Sequence, residues 1–248
     1  MKLKKSQITF MILLALLILA IAGLIIFAAN YFKSKTSIEH LVFEKASIEG
    51  YINNCIKKTA ENGLVLLGKQ GGYILLEEYL EAPNYGISFL YSKGNKIPSI
   101  EKMQSQLSFY IDNNLNICLK DFEDFKKQGW EVEKGNLNSR TQINERDVSF
   151  DIDFFVKVIN KDSIINFERF SITLDVRLRY IYDLVVKIVE FNANNPISVD
   201  RTELSRHDLN VTVFPYKNSM VYSIQDSKSL IMNKPYQLNF AMRFGHIP

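Results

Sequence analysis

Ile100–Phe125, IEKMQSQLSFYIDNNLNICLKDFEDF, is the stretch whose reading decides the fold. Ile100, Met103, Leu107, Ile111, Leu115, Cys118, Phe122 and Phe125 recur at spacings of three and four, the mark of one buried helical face. Pro98-Ser99 supplies a start signal and Gly129 a stop. Cys118 therefore lies on the apolar side of a helix. Upstream, Ile48, Ile52, Cys55 and Ile56 repeat the pattern, so Cys55 also sits on an apolar face. Two helices packed by these faces bring the sulfurs together. In an oxidising compartment such a pair is most simply a disulfide, worth about 4 kcal/mol for a loop of about 60 residues. The alternative is two free buried thiols.

Downstream the period changes. Val148, Phe150, Ile152, Phe154, Val156 and Val158 alternate with mostly polar partners, as do Phe170, Ile172, Leu174, Val176 and Leu178. Both read as half-buried strands, with Arg140–Arg146 a third paired through a turn near Asp147. Arg179–Phe191 returns to helical spacing, and Leu209–Phe214, Met220–Ile224 and Tyr236–Met242 are strand-like. Between the two helices, Tyr73–Leu80 and Tyr85–Tyr91 read as short strands. The expected class is α+β, with a disulfide-linked helical pair, a mainly antiparallel sheet and one further helix.

The N-terminus adds Ile8–Ala29, ITFMILLALLILAIAGLIIFAA, 22 consecutive residues without a charge. As a helix it would be about 33 Å long, against a hydrocarbon core of about 30 Å. This predicts a transmembrane helix that contacts the lipid bilayer through residues 8–29. Lys2, Lys4 and Lys5 precede it and keep a short tail cytoplasmic. A cleavable secretory signal would have a shorter apolar region followed by a small-x-small site, whereas Ala20-Ile-Ala22 lies inside the run. The expected organisation is a cytoplasmic tail at 1–7, a transmembrane anchor at 8–32, a stalk at 33–46 and an extracytoplasmic domain at 47–248. That domain divides into a helical half, 47–129, and a sheet-rich half, 130–248.

Two resemblances follow from quoted residues. Lys4-Lys5-Ser6-Gln7 before the apolar run resembles the class III signal of archaeal type IV pilins, which implies processing between Ser6 and Gln7 and a retained assembly helix. Met11 stands fifth after that cut, where many pilins have a glutamate. YINNCIKKTAENGLVLLGKQGGYI and IPSIEKMQSQLSFYIDNNLNICL together resemble a group of uncharacterised membrane-anchored exported proteins of small-genome archaea. That resemblance implies an archaeal source and an exported domain, and no activity.

Charge excludes one class of partner. Setting aside Lys2, Lys4 and Lys5, the 30 basic residues fall to 27, equal to the 27 acidic ones. A neutral exported part argues against nucleic acid. Gly68-Lys69-Gln70-Gly71-Gly72-Tyr73 lacks the Ser or Thr after Lys that a phosphate loop needs, and it leaves a helix instead of opening one. Its glycines read as a chain reversal. His40, His207 and His246 make no metal-ligand spacing, and no cofactor motif is present. His207-Asp208 would be half a triad, and Asp151 with Asp153 a carboxylate pair on one strand face; both read more simply as solvated surface. Asn210-Val211-Thr212 is a glycosylation sequon, making Asn210 a candidate modification site. The expected function is a non-catalytic, membrane-anchored domain at the cell surface that binds or organises an extracytoplasmic protein or envelope component. A pilin-like filament subunit is the alternative, and an envelope-acting enzyme the third.

Overall fold

The computed structural model describes residues 5–160, 163–195, 198 and 200–244; in its first helix, side chains are described for residues 16–27 and from 45 onward. The chain divides into two compact units, Met1–Gly50 and Tyr51–Pro248.

Helix α1, Lys5–Lys69, is 65 residues long. The expectation of a transmembrane helix is overturned. Among the described residues, no helix is long and apolar enough to cross a membrane. The reading rested on a run of uncharged residues, of which the side chains of 16–27 are described and exposed.

In the second unit, α1 buries Ile52, Cys55, Ile56, Ala60, Leu64 and Leu67. Helix α2, Ile100–Leu119, buries Met103, Leu107, Ile111, Leu115 and Leu119, and its N-terminus is capped by Ser99, whose side chain accepts from the Lys102 N–H. The disulfide is present: Cys55 and Cys118 are bonded, with their Cα atoms 5.5 Å apart. Gly63 permits the close approach, because a Cβ there would lie 2.9 Å from the Tyr110 ring. Tyr51 adds a hydrogen bond from its hydroxyl to the Leu119 carbonyl, 2.8 Å.

Helix α2 ends six residues before Phe125, the last position of its apolar spacing, where Lys120, Asp121 and Phe122 take φ of 45°, 53° and 58°. Three successive left-handed non-glycine residues are costly. Burial of the Phe122 ring and ion pairs from Asp121 to Lys126 at 2.5 Å and Lys134 at 2.6 Å offset that cost. A short helix, α3, Glu123–Lys127, follows.

The sheet-rich part is two sheets. Strands β3 (Glu131–Ile143), β4 (Val148–Asn160) and β5 (Ser163–Leu174) form an antiparallel sheet with β4 in the centre. The alternating face of β4 buries Val148, Phe150, Ile152, Phe154, Val156 and Val158. The outer edge of β3 is covered by α2. Gln104 and Asp112 accept from the Ile143 and Ser139 N–H groups, both at 2.9 Å, and Ser108 Oγ meets Thr141 Oγ1 at 3.0 Å. Positions four apart on a helix thus match positions two apart on a strand, satisfying edge groups that would otherwise need water or another chain.

The other sheet has order β1-β2-β8-β7-β6, from β1 (Tyr79–Glu81), β2 (Gly86–Ser92), β6 (Asn210–Tyr216), β7 (Ser219–Ile231) and β8 (Lys234–Arg243). It is mixed, since β2 pairs β8 in parallel. Such a pairing needs a long crossover, which here includes the whole three-stranded sheet. Helix α4, Leu178–Asn194, buries Leu178, Ile181, Leu184, Val185, Ile188 and Val189, and a short α5, Arg201–Ser205, follows. The expectation of one mainly antiparallel sheet and one further helix is corrected accordingly.

Candidate functional site

The glycine-rich segment after α1 builds the clearest cleft. Gly71 and Gly72 have φ of 75° and 88°, and a Cβ on Gly72 would lie 2.9 Å from the Pro98 ring. These turns lead the chain into residues 73–78, expected as a strand. Only Tyr79–Glu81 is strand there, because two glutamine side chains hold the preceding backbone in another shape. Gln70 Nε2 donates to the Tyr73 and Ile74 carbonyls at 3.0 and 2.9 Å. Gln106 Oε1 accepts from the Ile74 N–H and, at 3.0 Å, from the Leu75 N–H. Both glutamines are buried.

The loop forms one wall of a cleft of about 380 Å³, and the segment from Lys96 to Lys102 forms the other. Tyr73 crosses between them, its hydroxyl donating to the Lys96 carbonyl at 2.8 Å. Lys102 Nζ lies 5.2 Å from the centre of the Tyr73 ring and 2.9 Å from Glu77 Oε1. Lys96 pairs with Glu78, which also accepts from Ser92 Oγ at 2.9 Å and Arg243 at 3.2 Å. The bond from Lys102 holds the Glu77 carboxyl below its ordinary pKa, and bonds from Lys96 and Ser92 do the same for Glu78. Burial pushes the Tyr73 hydroxyl up. Ser88, 3% exposed, is in the lining, and its Oγ has no hydrogen-bond partner among the described residues.

A second polar cluster lies at the start of α4. Asp226, 0% exposed, receives Arg177 Nη2 at 2.6 Å and Nε at 3.0 Å, the Ser229 hydroxyl at 2.5 Å and the Lys228 N–H at 3.0 Å. Arg177 also reaches Asp208 at 3.2 Å, and Lys228 Nζ meets the same carboxylate at 2.5 Å. Burial alone would raise the Asp226 pKa; the bonds from Arg177, Ser229 and the Lys228 N–H reverse this and leave it below its ordinary value. Bonds from Lys228 and Arg177 hold Asp208 low as well. Asp226 stands at a register shift of β7 against β8, so the cluster ties the first residues of α4 to a bulge.

The residues singled out in the sequence are distributed as follows. Cys55 and Cys118 are joined. His207 and Asp208 do not work together: Asp208 belongs to the Arg177 cluster, whereas His207 Nε2 faces Glu203 at 3.3 Å. Lys187, His207 and Arg206 surround Glu203 and hold its pKa down at about 2. Asp153 is taken by Arg169 at 2.9 Å and Arg140 at 3.2 Å, and their bonds lower its pKa. Asn210 opens edge strand β6, exposed, with Thr212 exposed on the same side. The side chains of Ser6, Gln7 and His40, and all of His246, lie outside the described residues. Among the described residues no cluster of His, Cys, Asp and Glu is arranged to hold a metal ion.

Glu77, Glu78, Lys96 and Lys102 carry no sequence signal, since their spacing is unremarkable and their pairing depends on the fold. Gln106 does carry one, a polar residue beside Met103 and Leu107 on a buried face. Asp226 carries another, continuing the inward positions of Tyr222 and Ile224 on β7. The chain matches no protein-family model, no curated protein and no solved structure.

Proposed function

We propose that this chain is a non-catalytic extracytoplasmic domain that recognises a protein or envelope component through the cleft between residues 73–78 and 96–102. The observation that carries this reading is the bracing of an irregular loop by the buried amides of Gln70 and Gln106. Buried polar groups stabilise little unless fully paired, and here their pairing shapes a cleft wall. A wall formed before the partner arrives lowers the ordering cost of binding. The disulfide supports an oxidising compartment. Carboxylates held below their ordinary pKa by neighbouring cations are poor proton carriers at neutral pH, which favours binding over acid–base catalysis.

The test is a photo-cross-linking amino acid placed in living cells at Ile97, in the cleft, and separately at Ile164, exposed on β5. Adducts formed from Ile97 and not from Ile164 are expected. Equal labelling, or none from Ile97, would refute the cleft as the recognition site. Protein isolated from those cells without reductant should have no free thiol; two alkylated cysteines would refute the extracytoplasmic location.

A second reading, a self-assembling filament subunit, is favoured by the apolar part of α1. Leu16 is 58% exposed, Phe27 72%, and the large residues between them are similarly uncovered. A helix apolar on all sides needs cover, and neighbouring copies of the same helix would supply it. Recovery of the chain in filaments sheared from cells would establish this reading, and its absence there would end it.

A further inference from the structure

Resting on the reading of the 73–102 cleft as a recognition site, we infer that its ligand is a neutral polyhydroxylated residue, a sugar presenting a vicinal diol. The charges decide the class. Each ammonium in the cleft already stands beside a carboxylate: Lys102 Nζ is 2.9 Å from Glu77 Oε1, and Lys96 is paired with Glu78. An anionic ligand drawn to Lys102 meets Glu77 at the same place, and a cationic ligand drawn to Glu78 meets Lys96 and Arg243. Attraction is offset by repulsion in both cases.

A hydroxyl group escapes this opposition. It accepts from the ammonium and donates to the carboxylate, so it joins the pair without replacing either member. The pairs on the 77–78 loop therefore offer donor and acceptor side by side, the arrangement that neighbouring sugar hydroxyls need. Such bonds to charged groups are stronger than those between neutral groups.

The remaining surfaces fit the same chemistry. Ile97, half-buried in the lining, supplies apolar area for the C–H face of a ring. The Ser88 hydroxyl, buried without a partner, leaves hydrogen-bonding capacity in the lining. The volume of about 380 Å³ falls at the lower end of small-molecule sites. The loop wall is held by Gln70 and Gln106, so recognition of a weakly interacting neutral ligand does not require the loop to order first.

The test uses the full chain, kept in solution with a sugar-free detergent, and saturation-transfer NMR. The probes are the methyl glycosides of glucose, galactose and mannose, with glucuronate and a diamine as charged controls. At least one neutral glycoside is expected to receive saturation with a dissociation constant of about 1 mM, the range of a single weakly held residue. Glu77→Gln and Lys102→Met should each weaken it by about tenfold or more, and neither should move the denaturation midpoint. Absence of transfer to every neutral glycoside overturns the inference, as does binding that both variants leave unchanged. Transfer to a charged control alone would assign the cleft another ligand class and leave its role in recognition standing. The cross-linking experiment decides that role separately.

Discussion

The two polar clusters use the same residue types in opposite ways. At the start of α4, Asp226 is fully buried and takes its bonds from Arg177, far away in the chain, and from Lys228 and Ser229 in its own bulge. In the cleft, the Lys102–Glu77 and Lys96–Glu78 pairs are exposed on both partners. A buried ion must keep its partners because nothing else can solvate it. An exposed pair can exchange its partner for water or a ligand at little loss. One cluster therefore holds the fold together, and the other is free to be used.

The largest effect should come from breaking the buried cluster. Asp226→Ala leaves the Arg177 guanidinium, 22% exposed, without its main partner, and deprives Ser229 Oγ and the Lys228 N–H of their acceptor. A loss of about 3–5 kcal/mol in urea unfolding is expected. The cluster also sets the acid response. Because the folded pKa of Asp226 is below its unfolded value, its contribution is full above about pH 4 and is lost as the pH falls through the folded pKa. Wild-type stability should therefore drop in acid, and Asp226→Ala should show a shallower drop over the same range. A variant as stable as wild type, with the same acid profile, would erase the contrast between the clusters.

An intermediate effect belongs to the brace that shapes the cleft. Gln106→Ala leaves the Ile74 and Leu75 N–H groups without their acceptor, which should cost about 1–3 kcal/mol if they stay buried. Amide exchange should accelerate at residues 73–76 and remain unchanged on β4. Uniform acceleration would mean that Gln106 supports the whole domain and that the loop is no separate device.

The sequence shows the elements that repeat and hides those that depend on distant partners. The faces of α1 and α2 are periodic, and so the position of each cysteine and the disulfide between them can be read in advance. The alternation of β4 is equally plain. The parallel pairing of β2 with β8 is not, because no local pattern links residues so far apart in the chain. Residues 73–78 read as strand because Tyr73, Ile74, Leu75 and Leu76 suit one; the hydrogen bonds that decide otherwise come from Gln70 and Gln106. The end of α2 is misread for a related reason. Phe122 continues the apolar spacing, yet it reaches the core through a left-handed turn instead of a helix. Of the candidate site only the glycine-rich GKQGGY segment stood out, as a chain reversal, and the charged residues of the cleft did not.

The smallest effect is also the sharpest comparison, since it sets both clusters against one variable. Salt shortens the range of electrostatic interaction to about 3 Å at 1 M and screens exposed pairs more than buried ones. Glu77 owes its lowered pKa first to the hydrogen bond from Lys102, and both groups face solvent. Asp226 owes its lowered value to bonds that overcome its burial, where salt ions do not reach. Carboxyl ¹³C titrations at low salt and at about 1 M should therefore move Glu77 back toward its ordinary value and leave Asp226 in place. In the same samples the Lys102 ammonium, raised by its bond to Glu77, should shift downward. If Asp226 moved as far as Glu77, its carboxylate would be solvated like the one in the cleft, and the division into a structural cluster and a free one would fail. If neither moved, the cleft pairs would be locked too, and a ligand would have to break them to enter.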